Sequence, residues 1–418
     1  MRWFAFSLLL LFATSAQAHP WNDAQIGDLV GEARRAPEEG LAIPGTAIAT
    51  IAALQDLALV NSSFEMQRDA AAEALFRQLA RSYAQGQIAP SQADTQWSIA
   101  TPLEPDYVAL DATLDVGVGP ATLLRNLLPQ SAEYAALRDE LARQRLHGAS
   151  TNEEIVRLRA NLERWRWLPR TWPLRRVEVR IPEFKLYLFQ RDQPAVTHDV
   201  IVGRRNTPTH VFAAQIESVT LNPDWDPPDS IAYRELLPRF RRNPAAAAAE
   251  GFEAIDASGQ TIDASAVDWQ ARPFPYRLRQ RPGPQNALGQ IRFNLPNPFA
   301  TYLHDTPARG SFGRSNRALS HGCVRVKDPV LLGVEVLSDP TWGAAALQSA
   351  IDTGVMQDVP LNLPLPIFLL YLTATTRADG SIVYLNDIYE RDSAVVRALD
   401  GYTMIAEARL PSAPTCPS

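Results

Sequence analysis

Cysteine is scarce in this chain: 418 residues hold only Cys323 and Cys416. So few cannot build a disulfide framework, so an apolar core must hold the protein together, and the length allows two or three domains around one. Long apolar runs are scarce as well. Beyond the N-terminus no segment approaches the ~20 residues that span a bilayer, which points to a soluble or peripheral mature protein. Positive charge is in deficit, with 40 Lys and Arg against 46 Asp and Glu. That argues against a nucleic-acid partner, which calls for a basic face. Histidine is sparse too, at six: His19, His147, His198, His210, His304 and His321. None belongs to an HExxH or CxxC arrangement. Cys323 with His304 and His321 offers three ligands of the right type, with no further cysteine or carboxylate at ligand spacing. A zinc site is disfavoured, and no metal or cofactor is expected.

Proline, by contrast, is abundant at 33 residues, which predicts many loops and edge strands. The chain opens "MRWFAFSLLLLFATSAQAHP", with Arg2 ahead of an apolar run from Trp3 to Ala13 and a small-x-small site at Ala16–Ala18. This is the layout of a cleaved secretory signal peptide over residues 1–18, too short for a comfortable membrane span. Its removal takes one positive charge and moves the net charge from −6 to −7. Export to an oxidising compartment raises the option of a Cys323–Cys416 disulfide. Cys416 lies in the tail "PSAPTCPS", expected to be disordered, which has little to hold it against Cys323.

Residues 22 to about 165 read as helical. "SSFEMQRDAAAEALFRQLARSYAQGQ" offers Ser62 and Glu65 as a capping box, an apolar stripe including Leu75, Phe76, Leu79 and Tyr83, and Gly86 as a stop. "SAEYAALRDELARQRLHG" places Tyr134, Leu137 and Leu141 on one face and ends at Gly148. "TNEEIVRLRANLERWRWLP" opens with a second box, Thr151 and Glu154, and carries Ile155, Leu158, Leu162 and Trp165. From Arg175 the period falls to that of strands. "RRVEVRI" alternates, "EFKLYLFQRDQPAVTHDVIVG" reads as a hairpin around Asp192–Pro194, and "VFAAQIESVTLNP" extends the sheet. Residues 223–286 interrupt it with short helices and proline-rich loop, an excursion long enough to suggest a lid. The sheet resumes at "QIRFNLPNPFATYLHDTP", and Asp379–Gly380 marks a later hairpin. In "RWRWLPRTWPLRR", arginines mix with Trp165, Trp167 and Trp172, yet the acidity of the chain and its export speak against a nucleic-acid site there.

"LSHGCVRV" carries the chemistry. A thiol needs a base or a positive neighbour to populate thiolate. His304 lies nineteen residues before Cys323 and His321 two before it. In extended chain His321 would stand beside Cys323 rather than face it, whereas His304, at the end of "FATYLH", could return across a loop. Gly322 removes a side chain beside the nucleophile, leaving the Gly322 and Cys323 amides to face a carbonyl oxygen. Arg325 could hold a substrate carboxylate. On residues alone, a buried free thiol remains the alternative.

His304, eighteen intervening residues, then Ser320-His321-Gly322-Cys323-Val324-Arg325 resembles the signature of L,D-transpeptidases with the YkuD catalytic domain. "VGRRNTPT", "LNPDWDPP", "PGPQNALGQIRFNLPN" and "NLERWRWLP" resemble the large YcbB-type branch. The resemblance covers roughly residues 150–395 well and 22–150 more weakly. It implies an α+β protein: a helical scaffold domain over 19–168, a mostly β catalytic domain over 169–400 with 223–286 as its inserted lid, and a tail over 401–418. It also implies roles: Cys323 as nucleophile, His304 as base and acid, Gly322 and Cys323 as oxyanion hole, and Tyr302, His321 and Arg325 against substrate. The implied activity joins peptidoglycan stem peptides by 3→3 cross-links in the periplasm, in wall biogenesis and cell shape, as a carbapenem target. Other wall enzymes would be further partners. Alternatives are other acceptors (water, a lipoprotein lysine, a free D-amino acid) or a non-catalytic wall-binding scaffold. Two departures stand out. The branch's small peptidoglycan-binding module before "NLER" is missing, and many relatives outside the branch have Asn where Arg325 stands.

Overall fold

The computed structural model describes residues 19–43, 45–147, 152–191 and 193–409. The expected signal peptide, the stop at Gly148, the cap at Thr151, the turn residue Asp192 and Cys416 lie outside them. The protein is α+β, and its chain forms two compact units. The first gathers the described residues up to Ala89, 101–167 and those from Val395 on; the second gathers 90–100 and 168–394.

The first unit is helical: α1 (Asp23–Arg35), α2 (Gly45–Val60), α3 (Glu65–Gln85), α4 (Tyr107–Asp115), α5 (Pro120–Asn126), α6 (Ala132–His147) and α7 (Asn152–Trp167). The stripes foreseen on α3, α6 and α7 are buried at Leu75, Phe76, Leu79, Tyr83, Tyr134, Leu137, Leu141, Leu158, Leu162 and Trp165. The Ser62–Glu65 box does not form. Asn61 instead accepts the Ser63 amide at 3.0 Å, Ser62–Phe64 makes a 3₁₀ turn, and α3 starts at Glu65. An Asn oxygen one residue earlier reaches the orphan amide first. Gly86 ends α3 at φ +90°, and a Cβ there would stand 2.7 Å from both Glu163 and Trp167.

The last turns of α7 are buried on every side. Arg166 donates to Glu163 at 2.6 Å, to the Tyr134 hydroxyl at 3.0 Å and to the Glu39 carbonyl at 2.8 Å, with both charged side chains fully inaccessible. The arginines of "RWRW" therefore build a core rather than a basic surface. Burial raises the pKa of Glu39, and that of the Tyr134 phenol well above its ordinary value.

Two segments fall outside the expected domain limits. Gln96–Ser98 bonds to Val211 through a parallel bridge, with Ser98 N–H donating to the Val211 carbonyl at 2.7 Å, so 90–100 belongs to the second unit. The C-terminal helix (Asp392–Arg409) runs through the start of the expected tail, and Asp400 pairs with Arg159 at 2.7 Å.

The second unit begins with β1 (Arg175–Arg180), β2 (Lys185–Gln190), β3 (Gln193–Gly203) and β4 (Phe212–Leu221). The inserted region follows: α8 (Asp229–Ile231), a π-helical turn (Ala232–Leu236), α9 (Leu237–Arg242), α10 (Pro244–Ala249), β5 (Phe252–Ile255), β6 (Thr261–Asp263) and β7 (Arg277–Gln280). Then come β8 (Ile291–Asn294), β9 (Leu303–His304), β10 (Ala318–Ser320), β11 (Val324–Val326), α11 (Pro329–Leu337), α12 (Ala344–Asp352), β12 (Gln357–Leu370) and the hairpin β13 (Ala374–Thr376) and β14 (Ile382–Tyr384). The main sheet runs β10-β3-β11-β9-β8-β4-β12-β1-β2, and β2 also pairs with β3, so it closes on itself. Closure leaves the short β10 as its free edge, which limits the exposed ladder.

The insertion has its own three-stranded sheet and its own core, including Phe240, Phe252, Trp269 and Leu278. Its neck is tied twice. Trp225 and Gln280 exchange backbone bonds at 2.9 and 2.8 Å, and the buried Asn286 amide reaches the Pro223, Gln280 and Arg281 carbonyls.

Removing the carboxylate in Glu163→Leu strands the Arg166 guanidinium in the core. A loss of about 3–5 kcal/mol is expected, read as an earlier loss of helical signal in urea.

Candidate active site

The site starts from strand register. β9 and β11 run parallel, with Leu303 beside Val324 and His304 beside Arg325. Leu303, Val324 and Val326 are fully buried on one face. Alternation therefore sends Tyr302, His304 and Arg325 to the other, and Cys323, one residue before β11, continues that face. On the far side of β9, Arg292 of β8 stands directly opposite His304, with its guanidinium 5.4 Å from the Tyr302 ring centre. The sequence reading passed over Arg292. The alternation in "QIRFN" was the signal for it.

Gly322 has φ +118°, a conformation glycine adopts at little cost. The loop around it is held from three sides. Ser320 Oγ donates to the Cys323 carbonyl at 2.6 Å and accepts the Gly322 amide at 3.1 Å. Thr209 Oγ1 donates to the Gly322 carbonyl at 2.7 Å while accepting the Gly203 amide at 2.9 Å. The Tyr389 hydroxyl donates to the Gly203 carbonyl at 2.6 Å and accepts the Thr209 amide at 3.2 Å. Ser320, Thr209 and Tyr389 were not singled out from sequence, because their partners are far along the chain. The two amides expected to form one oxyanion hole are thus unequal here. Gly322 N–H is engaged by Ser320, whereas Cys323 N–H has no partner among the described residues.

Cys323 is a free, half-buried thiol whose Sγ donates to the Ala300 carbonyl at 3.7 Å. Asn297 shapes that loop, accepting the Phe299 and Thr301 amides at 3.0 and 3.2 Å, and Ala300 turns at φ +49°. Burial pushes the thiol pKa up, against the opposing pull of the Tyr302 backbone and the Arg325 charge. His304 is buried, its Nδ1 sits 2.5 Å from the Asp305 carbonyl, a contact that suits a proton on Nδ1, and the Leu288 backbone is a second hydrogen-bonding neighbour of the ring. Burial first, then the Arg325 charge, hold its pKa down at about 3, so the ring is neutral at pH 7. His304 and Cys323 share a face without a hydrogen bond between them among the described residues. Arg325 is half-buried, and its buried Nε has no hydrogen-bond partner among the described residues. Desolvation lowers its pKa, as expected for a cation awaiting an anion.

His321 points away from Cys323. Its Nε2 lies 2.7 Å from Glu235 on the π-helical turn of the insertion, and Glu235 also meets Arg204 at 3.4 Å. These partners hold the Glu235 carboxyl below its usual range, His321 first. The insertion thereby touches the site two residues from the thiol, the placement a lid requires.

Comparisons with known proteins agree with this arrangement. Residues 174–334 match the L,D-transpeptidase catalytic domain (YkuD), and residues 10–141 match the Scaffold domain. A Haemophilus influenzae protein named as a candidate L,D-transpeptidase is 35% identical over 219 residues, 52% of this chain and 44% of that protein. The match thus spans less than half of that relative. Among solved structures, an L,D-transpeptidase from Mycobacterium smegmatis aligns at 13% identity and TM-score 0.21, over 47% of this chain and 58% of that one. L,D-transpeptidase 1 of Mycobacterium tuberculosis aligns at 9% and 0.18, over 47% and 61%. TM-scores this low add nothing to the domain matches. Between α6 and α7 the chain runs only from His147 to Asn152, so no separate module is inserted there.

Thr209→Val keeps the shape of the side chain and removes the hydroxyl joining Gly203 to Gly322. About 1–3 kcal/mol of stability should be lost in denaturant titration, and Cys323 should react with iodoacetamide at an altered rate.

Proposed function

We propose that this chain, which carries a YkuD L,D-transpeptidase catalytic domain behind a Scaffold domain, is a peptidoglycan L,D-transpeptidase that forms 3→3 cross-links through a thioester on Cys323. The observation that carries the reading is the shared face of Cys323, His304 and Arg325, set by the β9–β11 register, with the unpartnered Cys323 amide beside the sulfur.

His304 Nε2 accepts the thiol proton as the sulfur attacks the carbonyl of the third stem-peptide residue, a diamino acid. The Cys323 N–H faces the oxyanion that develops, where a fixed dipole is worth most because water is excluded. Collapse breaks the peptide bond. The departing D-alanine amine takes the proton from His304, and the thioester remains. An amine from a second stem attacks it, passes its proton to His304, and restores the thiol as the new amide forms. Arg325 receives a donor carboxylate by paired N–H···O bonds, neutralising a cation that has no protein partner at Nε. Tyr302 walls the same face, and His321, held by the lid, borders it. Gly322 supplies the sharp backbone, and its amide joins the oxyanion hole only when Ser320 releases it. No cofactor takes part. The chain is exported to the periplasm, where peptidoglycan stem peptides, donor and acceptor, are its partners.

Incubation with a carbapenem should add one drug mass to the protein at Cys323 and none to Cys323→Ala; an unmodified wild type would sink the enzyme reading. His304→Ala should acylate about 10²–10⁴ times more slowly. Purified disaccharide-tetrapeptide should give 3→3 dimers, whereas tripeptide alone would mean that water is the acceptor. Mass spectrometry of the periplasmic protein should find His19 as its first residue.

A further inference from the structure

The lid carries a cleft that the chemistry above does not use. It is a shallow cleft, open to solvent along its mouth. Tyr233, Phe274 and Tyr276 supply rings, Asp229 and Arg277 supply charge, and Leu278 is part of the floor. Two of the rings are anchored. Phe274 stacks on Trp269 at 5.7 Å, and Tyr276 meets Phe274 edge-on at 5.3 Å. Tyr233 is 46% exposed and lies outside the lid core. The hydroxyls of Tyr233 and Tyr276 and the charged ends of Asp229 and Arg277 have no partner among the described residues. The neighbouring Asp226 is engaged by Arg279 at 2.9 Å.

We propose that this cleft docks the glycan strand of the wall, a polymer of N-acetylated hexosamines; the inference rests on the peptidoglycan reading given above. A pyranose ring has a C–H face that lies on an aromatic ring, and a rim of hydroxyl and acetamido groups. Tyrosines serve both, with an apolar body and a polar tip. Free hydrogen-bonding groups around rigid rings suit such a neutral, polar-rimmed ligand. The carboxylates of Asp226 and Asp229 disfavour a polyanion. Position agrees with this. Tyr233 and Glu235 share one five-residue π-helical turn, and Glu235 contacts His321, two residues before Cys323. A stem peptide whose third residue reaches the thiol has about 10 Å of extended chain back to its sugar. A glycan seated in the cleft would fix the register of the stem.

The mature protein is titrated with the N-acetylglucosamine tetramer, which carries no peptide, and binding is followed by calorimetry and by tryptophan fluorescence, since Trp269 stacks on the cleft. Saturable binding is expected. Tyr233→Ala should weaken it at least about tenfold, equivalent to ~1.4 kcal/mol, and Tyr233→Phe should recover most of the loss. Arg277→Ala, also on the surface, should weaken it independently. Absence of binding to the wild type at millimolar tetramer, or equal binding by Tyr233→Ala, would overturn the proposal. So would displacement of the tetramer by free stem tetrapeptide, which would make the cleft a peptide site. Carbapenem acylation of the wild type is scored in parallel: a missing adduct strikes at the transpeptidase reading, while tetramer binding reports on the lid alone.

Discussion

Two rungs of backbone, Leu303 beside Val324 and His304 beside Arg325, carry the candidate site. They join strands whose paired residues lie 21 positions apart and give both one phase of alternation. A slip of one residue on either strand would turn His304 or Arg325 to the apolar face and Leu303 or Val324 to the face of Cys323. The apolar side of the same rungs prevents that slip, because Leu303, Val324 and Val326 are fully enclosed. Core packing on one face thus sets chemical geometry on the other. The loop before β11 could not hold this arrangement alone. Thr209, Ser320 and Tyr389 fasten it to the end of β3 through hydroxyls that each both donate and accept.

Electrostatics at the site follow from the same enclosure. His304 is neutral because it is buried beside a cation, and Cys323 is held as a thiol by burial despite that cation. The resting pair is uncharged, and Arg325 is the local charge seeking a partner. An arriving carboxylate would meet that need, so anion binding and the charge state of the thiol are linked through one guanidinium. The insertion meets the candidate site through Glu235, which contacts both His321 and Arg204, at a π-helical turn of the kind often found at functional positions. Its separate core and doubly tied neck let it behave as one piece.

Much of this was legible from residue order. Helical stripes at Leu75–Tyr83 and Tyr134–Leu141, the change of period at Arg175 and the hairpin at Asp379–Gly380 all rest on local spacing. Other features were settled by competing caps or by distant partners. Asn61 displaced the Ser62 cap by a one-residue choice between near-equal local solutions. Arg166, which belongs in water by composition, is buried because Glu163, Tyr134 and the Glu39 carbonyl come from distant turns. His321 turned to the insertion, Ser320 took the Gly322 amide, segment 90–100 joined the second unit, and 395–409, expected partly in the catalytic domain and partly in the tail, joined the first.

By itself, then, the sequence determined element types, the break at the helix-to-strand change and the candidate reactive groups, since these depend on periodicity and on side-chain chemistry. Tertiary structure decided which amide stays free for an oxyanion, which histidine shares the thiol's face and which arginine lacks a partner. Each of those outcomes depends on a hydrogen bond or rung between residues far apart in the chain, where no local pattern carries the information.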